Sequence, residues 1–314
     1  MPIAQALCFV CMTGMSAERR IELRHLRAFV AVADERNFTR AAERLQLTQP
    51  ALSRTIAALE RLVGAGLVFR NRRTVQLTAA GSRFLPHAQR VLAVVAEAVT
   101  AAGGEVAPLR VGFTWGSTAE YTAPIVRAFE EAHPGVRVEI RRYDDPVAGL
   151  ADGRTHVGFL PGDPDDPRLG TLVLAEEPRV VALPADHPLA ARDEVLLADL
   201  SDEIVVINVV SGTTALDLWQ PGHRPAAVVR VRNVDEWMEV IAAGRGVGLT
   251  PASTGRLYSH PAIRYRLVAD APRVSITLAW PRLAPHPLVP DFVAVAGRTR
   301  SPTARIVDQP STDE

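Results

Sequence analysis

The sequence predicts a multidomain chain: an all-α winged helix-turn-helix at the N-terminus, one long helix, and then an α/β domain. Three observations predict it. From Arg19 to Arg83 there are thirteen Arg against five acids, a net of +8, so the remainder carries −8 within a total of zero. Hydrophobic spacing is helical and short-ranged up to residue 78, then sustained over residues 79–102. From residue 109 short β-branched runs alternate with helical segments, as an α/β fold requires. At 314 residues the chain is too long for one ordinary core and suits two or three domains. A composition of 47% hydrophobic and 22% charged residues is that of a globular protein.

The charge split suggests that one end meets a polyanion while the other does something else. All 35 basic residues are Arg, a bias that genome composition explains equally well. No apolar run approaches the ~20 residues needed to span a bilayer. Residues 1–20 are expected to be a disordered extension. The segment Met1–Met15 is mildly apolar but lacks a basic n-region, so a cytoplasmic location is expected, with Met15 as the start. Cys8 and Cys11 form one C-x-x-C pair, half of what a closed zinc site needs, with no βαβ pattern after it. No metal site is expected. Residues 300–314, rich in Pro, Ser, Thr and Asp, are expected to be a disordered tail.

The first helix is read from Leu23, Leu26, Phe29, Val30 and Ala33, which share one face. Thr39 is expected to cap a second helix whose inner positions are Ala41, Ala42 and Leu45. Paired alanines allow the close approach that a helix-turn-helix needs. Gln46 and Leu47 make the turn. Thr48 is a good N-cap for a third helix, and Pro50 sits in its first turn, where a missing N–H costs nothing. Leu52, Ile56, Leu59 and Val63 line the inner face of that helix. Gln49, Pro50, Ser53 and Arg54 are left on the outer face, where Arg and Gln can pair with purine edges and Ser with a base or phosphate. Strands at Leu67–Arg70 and Thr74–Leu77 flank the tip Asn71-Arg72-Arg73, a basic wing suited to a minor groove. Helix, Ala-Ala helix, short turn, Pro-initiated helix and Arg-tipped hairpin in that order carry more weight than any one of them.

The run LRHLRAFVAVADERNFTRAAERLQLTQPALSRTIAALE, followed by R-x-x-R (Arg70 to Arg73) and LTAAG, resembles the DNA-binding domain of LysR-type transcriptional regulators. Thr48 through Arg54, with Leu59-Glu60, is the most specific part of that match. The resemblance implies double-stranded DNA as partner, with Gln49, Pro50, Ser53 and Arg54 at the major groove and Arg73 at the minor groove. One departure occurs at Leu67-Val68-Phe69, where the family usually has Leu-Phe.

Thr78 can cap a helix over residues 79–102. Phe84, Ala88, Val91, Val95 and Ala102 recur near a 3.5-residue period, with Leu92 and Val99 widening the stripe. Such a seam wants a partner helix, or else packs on its own chain. The resemblance implies pairing of Phe84, Ala88, Val91, Leu92 and Val95 in a homodimer, often within a homotetramer, with RNA polymerase as a further contact.

Beyond it the pattern gives strand Leu109–Phe113, helix Thr118–Ala132, strand Val136–Ile140, a helix near Val147–Ala151 and strand Val157–Leu160. Together with VVALPADHPLA (Val180–Ala190) and AAGRGVGLTP (Ala242–Pro251), this resembles the family's periplasmic-binding-protein-like effector domain of two subdomains. His156 stands where the family commonly has Asp. The expected division is 21–78 for the DNA-binding domain, 79–104 for the linker helix and 105–299 for the effector domain. Within the last, 109–162 and 266–298 form one subdomain and 163–265 the other, with crossovers near Leu160–Gly162 and Tyr265–Val268. The cleft would then face two helix starts, one with Thr114, Ser117 and Thr118, the other with Ser211, Thr213 and Thr214. Thr250 is a further candidate. Hydroxyls and free N–H groups there favour a small anionic effector, although Ser and Thr cap helices without any ligand. Trp115 and Trp219 are equally suited to pocket or core.

Catalytic readings fail. The histidines form no H-x-H or H-E-x-x-H pair, and no G-x-S-x-G elbow or phosphate loop occurs. Gly244-Arg245-Gly246-Val247-Gly248 follows a helix and leads into a strand, the reverse of a phosphate cradle. No enzyme and no cofactor is expected. The competing reading, a solute-binding protein or small enzyme with an incidental basic N-terminus, predicts an export signal or a convergent catalytic set, and the sequence has neither.

Overall fold

A computed structural model describes residues 20–70, 75–103, 107–116, 121–283 and 285–299. The chain divides into two compact units, Met1–Gly103 and Gly104–Glu314.

In the first unit, α1 (Leu23–Glu35), α2 (Phe38–Arg44) and α3 (Gln49–Val63) surround one core. Helix α2 is capped by Asn37, not by Thr39 as expected: Asn37 Oδ1 accepts the Thr39 N–H at 2.9 Å and the Arg40 N–H at 3.1 Å. Asn37 holds the extended backbone of a cap residue, which leaves Thr39 inside the helix. The turn follows from Gln46, in the left-handed region at φ 55. Its N–H reaches Glu43 O at 3.0 Å and the Leu47 N–H reaches Ala42 O at 2.9 Å, which closes α2 with its last carbonyls satisfied. Thr48 Oγ1 caps α3 by accepting the Ala51 N–H at 3.4 Å.

Gly64, at φ 78, ends α3. Antiparallel β1 (Val68–Arg70) and β2 (Val75–Leu77) form the stem of the wing. Thr78 Oγ1 accepts the Gly81 N–H at 3.0 Å and so starts α4 (Ala79–Ala102). Phe84 meets Phe29 of α1 edge to face at 5.5 Å, and Ala88 is buried in the same core.

In the second unit, β3 (Leu109–Phe113), α5 (Thr122–Ala132), β4 (Val138–Arg142) and β5 (Val157–Pro161) open a sheet that β6 (Leu169–Glu177) joins. Residues expected to form a helix near Val147–Ala151 make a turn instead. Ala148 and Gly149 have φ of 52 and 81, and the Asp145 carboxylate accepts the N–H groups of Val147 and Gly149 at 3.0 and 3.1 Å. Next come β7 (Arg179–Pro184), β8 (Glu194–Val195), β9 (Ile204–Asn208), β10 (Ala227–Val231), α6 (Val234–Ala242), β11 (Gly248–Pro251), α7 (Ala252–Leu257) and β12 (Ile263–Val268). The chain closes with β13 (Val274–Pro281) and α8 (Val289–Thr299).

The first sheet runs β4-β3-β5-β13-β6 and the second β11-β7-β12-β8, with β9 and β10 paired in parallel and Val205 bridging to Val247. This order moves both expected crossovers. The segment after Leu160 does not leave the first sheet, because β6 pairs antiparallel with β13 along its length. The outgoing crossover is therefore at Pro178 and the return runs through residues 269–273. Burial agrees with it: Leu172 and Leu174 of β6 are buried in the core of the first sheet, while Val268 and Ile263 of β12 are buried in the two clusters of the second.

Candidate nucleic-acid interface and effector cleft

The N-terminal end of α3 separates two chemistries. Leu52, Ile56 and Leu59 are fully buried, whereas Thr48, Gln49, Pro50 and Arg54 are exposed and Ser53 is half-buried. Gln49 Nε2 donates to Ser53 Oγ at 3.4 Å, so the two share the outward face one turn apart. No acid forms an ion pair with Arg54 among the described residues, whereas Arg44 is tied to Asp34 at 3.0 Å. The side chain of Arg70, and all of Arg72 and Arg73, lie outside the described residues.

Glu60 has a role that its place in the motif did not disclose. Its Oε1 accepts the N–H groups of both Leu67 and Val68, so the C-terminal half of α3 fixes the start of the wing. Along Leu67-Val68-Phe69, Leu67 is buried and Phe69 is 56% exposed on the wing stem.

The seam expected on α4 divides. Phe84 and Leu92 pack against the core that buries Ala88, so these residues belong to the unit's own interior. The physical reason is spacing: positions 84, 88 and 92 form one i, i+4 row, and α1 occupies it. Val91, Val94 and Val99 are exposed, and Val95 is half-buried.

In the second unit the expected hydroxyls meet different fates. Thr114 directly follows β3 and is fully buried. Helix α5 begins only at Thr122, and Ser117 and Thr118 lie outside the described residues. No α-helix starts at Ser211, Thr213 and Thr214. Asn208 Oδ1 accepts the N–H groups of Val210 and Ser211 at 3.0 and 3.3 Å, folding the loop back on itself before a short 3-10 turn at Leu216–Leu218. Ser211 Oγ accepts from Asn208 Nδ2, and Thr214 Oγ1 donates to Leu249 O at 3.0 Å, so both hydroxyls serve the loop. Thr250 Oγ1 pairs with Thr254 Oγ1 at 2.7 Å. Thr213 accepts from Arg179 Nη1 at 3.1 Å.

Trp219 is core, its Nε1 donating to Leu197 O at 3.1 Å. Trp115 follows β3 of the first sheet yet packs in the second core, 4.9 Å from the Trp237 ring and 6.3 Å from Tyr258. A second tie crosses the seam nearby: the Glu177 carboxylate accepts from Tyr121 Oη at 3.3 Å and from the Ser253 N–H at 2.8 Å. Burial pushes the Tyr265 phenol up to about 12, and its hydroxyl donates to Tyr258 O at 2.8 Å. His156 is buried, its Nδ1 accepting the Arg110 N–H at 3.1 Å, with its ring stacked on His286. Glu177 and Arg179 escaped sequence reasoning because each acts through contacts remote in sequence. The one local signal was an Arg opening the apolar run of β7.

Among the described residues no group of metal-binding side chains gathers, and no helix is long and apolar enough to cross a membrane. Residues 23–82 match the bacterial regulatory helix-turn-helix protein, lysR family, and residues 102–300 match the LysR substrate binding domain. This chain belongs to the LysR family. It is 37% identical over 284 residues to the HTH-type transcriptional regulator YnfL of Escherichia coli (strain K12), covering 83% of this chain and 93% of that one. The crystal structure of CbnR, a LysR family transcriptional regulator, superposes with a TM-score of 0.65 at 26% identity, covering 90% of this chain and all of that one. Full-length CbnR complexed with its target DNA gives 0.62 at 27% identity, covering 89% and 100%. This LysR-type protein is thus an effector-responsive, DNA-binding transcriptional regulator, in a family of transcriptional regulators.

Proposed function

We propose that this regulator reads promoter DNA through the outward face of α3 and that a small molecule held between the two subdomains of the second unit alters that reading. One observation carries it: the N-terminal turns of α3 put Gln49, Pro50 and Arg54 at the surface while Leu52, Ile56 and Leu59 are fully buried. In this reading residues 21–78 form the reader, 79–104 the linker helix and 105–299 the effector domain. Arg54 and Gln49 make paired hydrogen bonds to purine edges, Ser53 and Thr48 hold phosphate, and Arg70, Arg72 and Arg73 of the wing enter a minor groove. Val91 and Val95, with Val94 and Val99, pair two linker helices, giving a homodimer or homotetramer with two half-sites. Thr114, Ser117, Thr118, Thr213 and Thr250 face the effector, and Ser211 and Thr214 shape its loop. The protein works in the cytoplasm, beside RNA polymerase at the promoter. A gel shift on the DNA upstream of its own gene, with and without the small-molecule fraction of a cell extract, tests it. Retention of that fragment over competitor DNA, altered by the extract, is expected. Binding blind to sequence even at moderate salt overturns it.

A further inference from the structure

Arg179 opens β7, directly after the chain leaves the first sheet, and is only 6% exposed. Its Nε donates to Pro272 O at 3.0 Å, on the return crossover, and its Nη1 donates to Thr213 Oγ1 at 3.1 Å, in the loop after β9. None of the described carboxylates forms an ion pair with it, and its Nη2 has no acceptor among the described residues. Asp217, itself exposed, acts on it only at longer range. Burial lowers the guanidinium to about 10, so it stays charged at neutral pH. A buried cation held only by neutral oxygens is costly, and an arriving anion removes that cost.

We propose that Arg179 and Thr213 form an anion site that selects a small carboxylate as the effector. This rests on the effector reading above and adds the chemistry of the ligand. Thr213 Oγ1 already accepts from Arg179, so its own proton remains free to donate. The Nη2 edge offers two further N–H groups, and a planar carboxylate matches such a fork with two parallel hydrogen bonds. The position also gives the site leverage. Arg179 touches the outgoing crossover, the return crossover and the Thr213 loop, so an anion there favours whichever subdomain arrangement brings these three together.

The test is calorimetric titration and thermal unfolding of the full chain with acetate, pyruvate and benzoate, against sodium phosphate and sodium chloride at matched ionic strength. Wild-type protein is expected to bind at least one carboxylate saturably, with a rise in Tm that chloride does not reproduce. Arg179→Met keeps the length and removes the charge. It is expected to melt at or above wild type without ligand and to bind the carboxylate roughly ten- to a hundredfold more weakly. Thr213→Val is expected to weaken binding less. Should Arg179→Met fold poorly, Arg179→Lys keeps a charge but not the fork and is expected to lose most of the binding. Three results overturn the proposal: no carboxylate moves the wild-type Tm, phosphate binds more tightly than all three, or Arg179→Met binds as wild type does. If cell extract alters operator binding equally in wild type and Arg179→Met, the effector reading stands and this site falls. If Arg179→Met abolishes carboxylate binding while no extract alters operator binding, the anion site stands and the effector reading falls.

Discussion

The Oε1 atom of Glu60 accepts the Leu67 N–H at 2.8 Å and, with the same oxygen, the Val68 N–H at 3.0 Å. A single carboxylate on the last turns of α3 thereby sets where the wing begins relative to the proposed recognition helix. Glu60→Ala strands two half-buried donors and is expected to cost roughly 1–3 kcal/mol in urea unfolding. Glu60→Gln retains an acceptor and should recover most of that. If the alanine variant unfolds as wild type does, Glu60 does not fix the wing.

Gly81, in the LTAAG run, is required by closeness and not by backbone angle. A Cβ there would stand 2.0 Å from Leu67 O. Gly81→Ala must push α4 off the start of the wing and is expected to cost at least roughly 1–3 kcal/mol. Gly66→Ala, where an added Cβ meets nothing within 4 Å among the described residues, should stay within about 0.5 kcal/mol of wild type. Equal effects at the two glycines would remove the packing explanation.

Legibility in the sequence followed the range of the interactions. The reader was legible because its determinants are local: the Thr48 cap, Pro50 in the first turn, and the Leu52, Ile56, Leu59 row all lie within a few turns. The Asn37 cap was missed by two residues, since Asn and Thr both suit the position. The crossovers were misplaced because the acidic stretch between β5 and β6 looks like a domain linker, whereas only long-range pairing with β13 shows that β6 stays in the first sheet. The candidate effector residues were least legible. Ser211 and Thr214 have the composition of a helix start, but Asn208, three residues before Ser211, bends the backbone away from one. Arg179 becomes a candidate only once Thr213 and Pro272, distant along the chain, are brought against it.

Trp115 and Trp237 pack in one cluster, their rings tilted at 56°, yet differ in a way that mutation can read. Trp237 Nε1 donates to Val206 O at 3.0 Å, whereas Trp115 Nε1 is buried with no hydrogen-bond partner among the described residues. Replacing Trp237 by Phe loses ring area and leaves a carbonyl unsatisfied; replacing Trp115 by Phe loses area but also removes an unsatisfied donor. Trp237→Phe is therefore expected to be the more destabilising by about 1–2 kcal/mol. Trp115→Ala, which empties the cluster, should cost roughly 3–5 kcal/mol. A Trp115→Phe variant as damaged as Trp237→Phe would mean that Trp115 holds a hydrogen bond after all.

Tyr265 gives a pH signature. Its phenol is raised to about 12 in the folded protein, against an unfolded value of about 10. The folded state then keeps a proton that the unfolded state loses, so this stability is fully present below pH ~10 and lost as pH rises towards ~12. Arg179 works in the opposite sense, since its lowered value favours folding as pH climbs above about 10. Tyr265→Phe should flatten the alkaline fall in urea midpoint, and Arg179→Met should steepen it. A parallel fall in all three proteins would exclude both groups as its source.

Arg54 and Arg61 both stand on the exposed side of α3, seven residues apart, or about 10 Å along the helix axis. Only Arg54 lies in the N-terminal turns that a recognition helix sends into the major groove. Arg54→Ala is expected to cost about 1–3 kcal/mol at the operator and to relax preference at one base pair. Arg61→Ala should leave base preference intact and at most lower the salt dependence by one phosphate contact. Arg73→Ala should weaken all sequences more evenly. The measurement is binding to the operator and to single-base variants of it at several salt concentrations. If Arg61 governs base preference and Arg54 does not, α3 enters DNA by its other end and the orientation assigned to the reader is reversed.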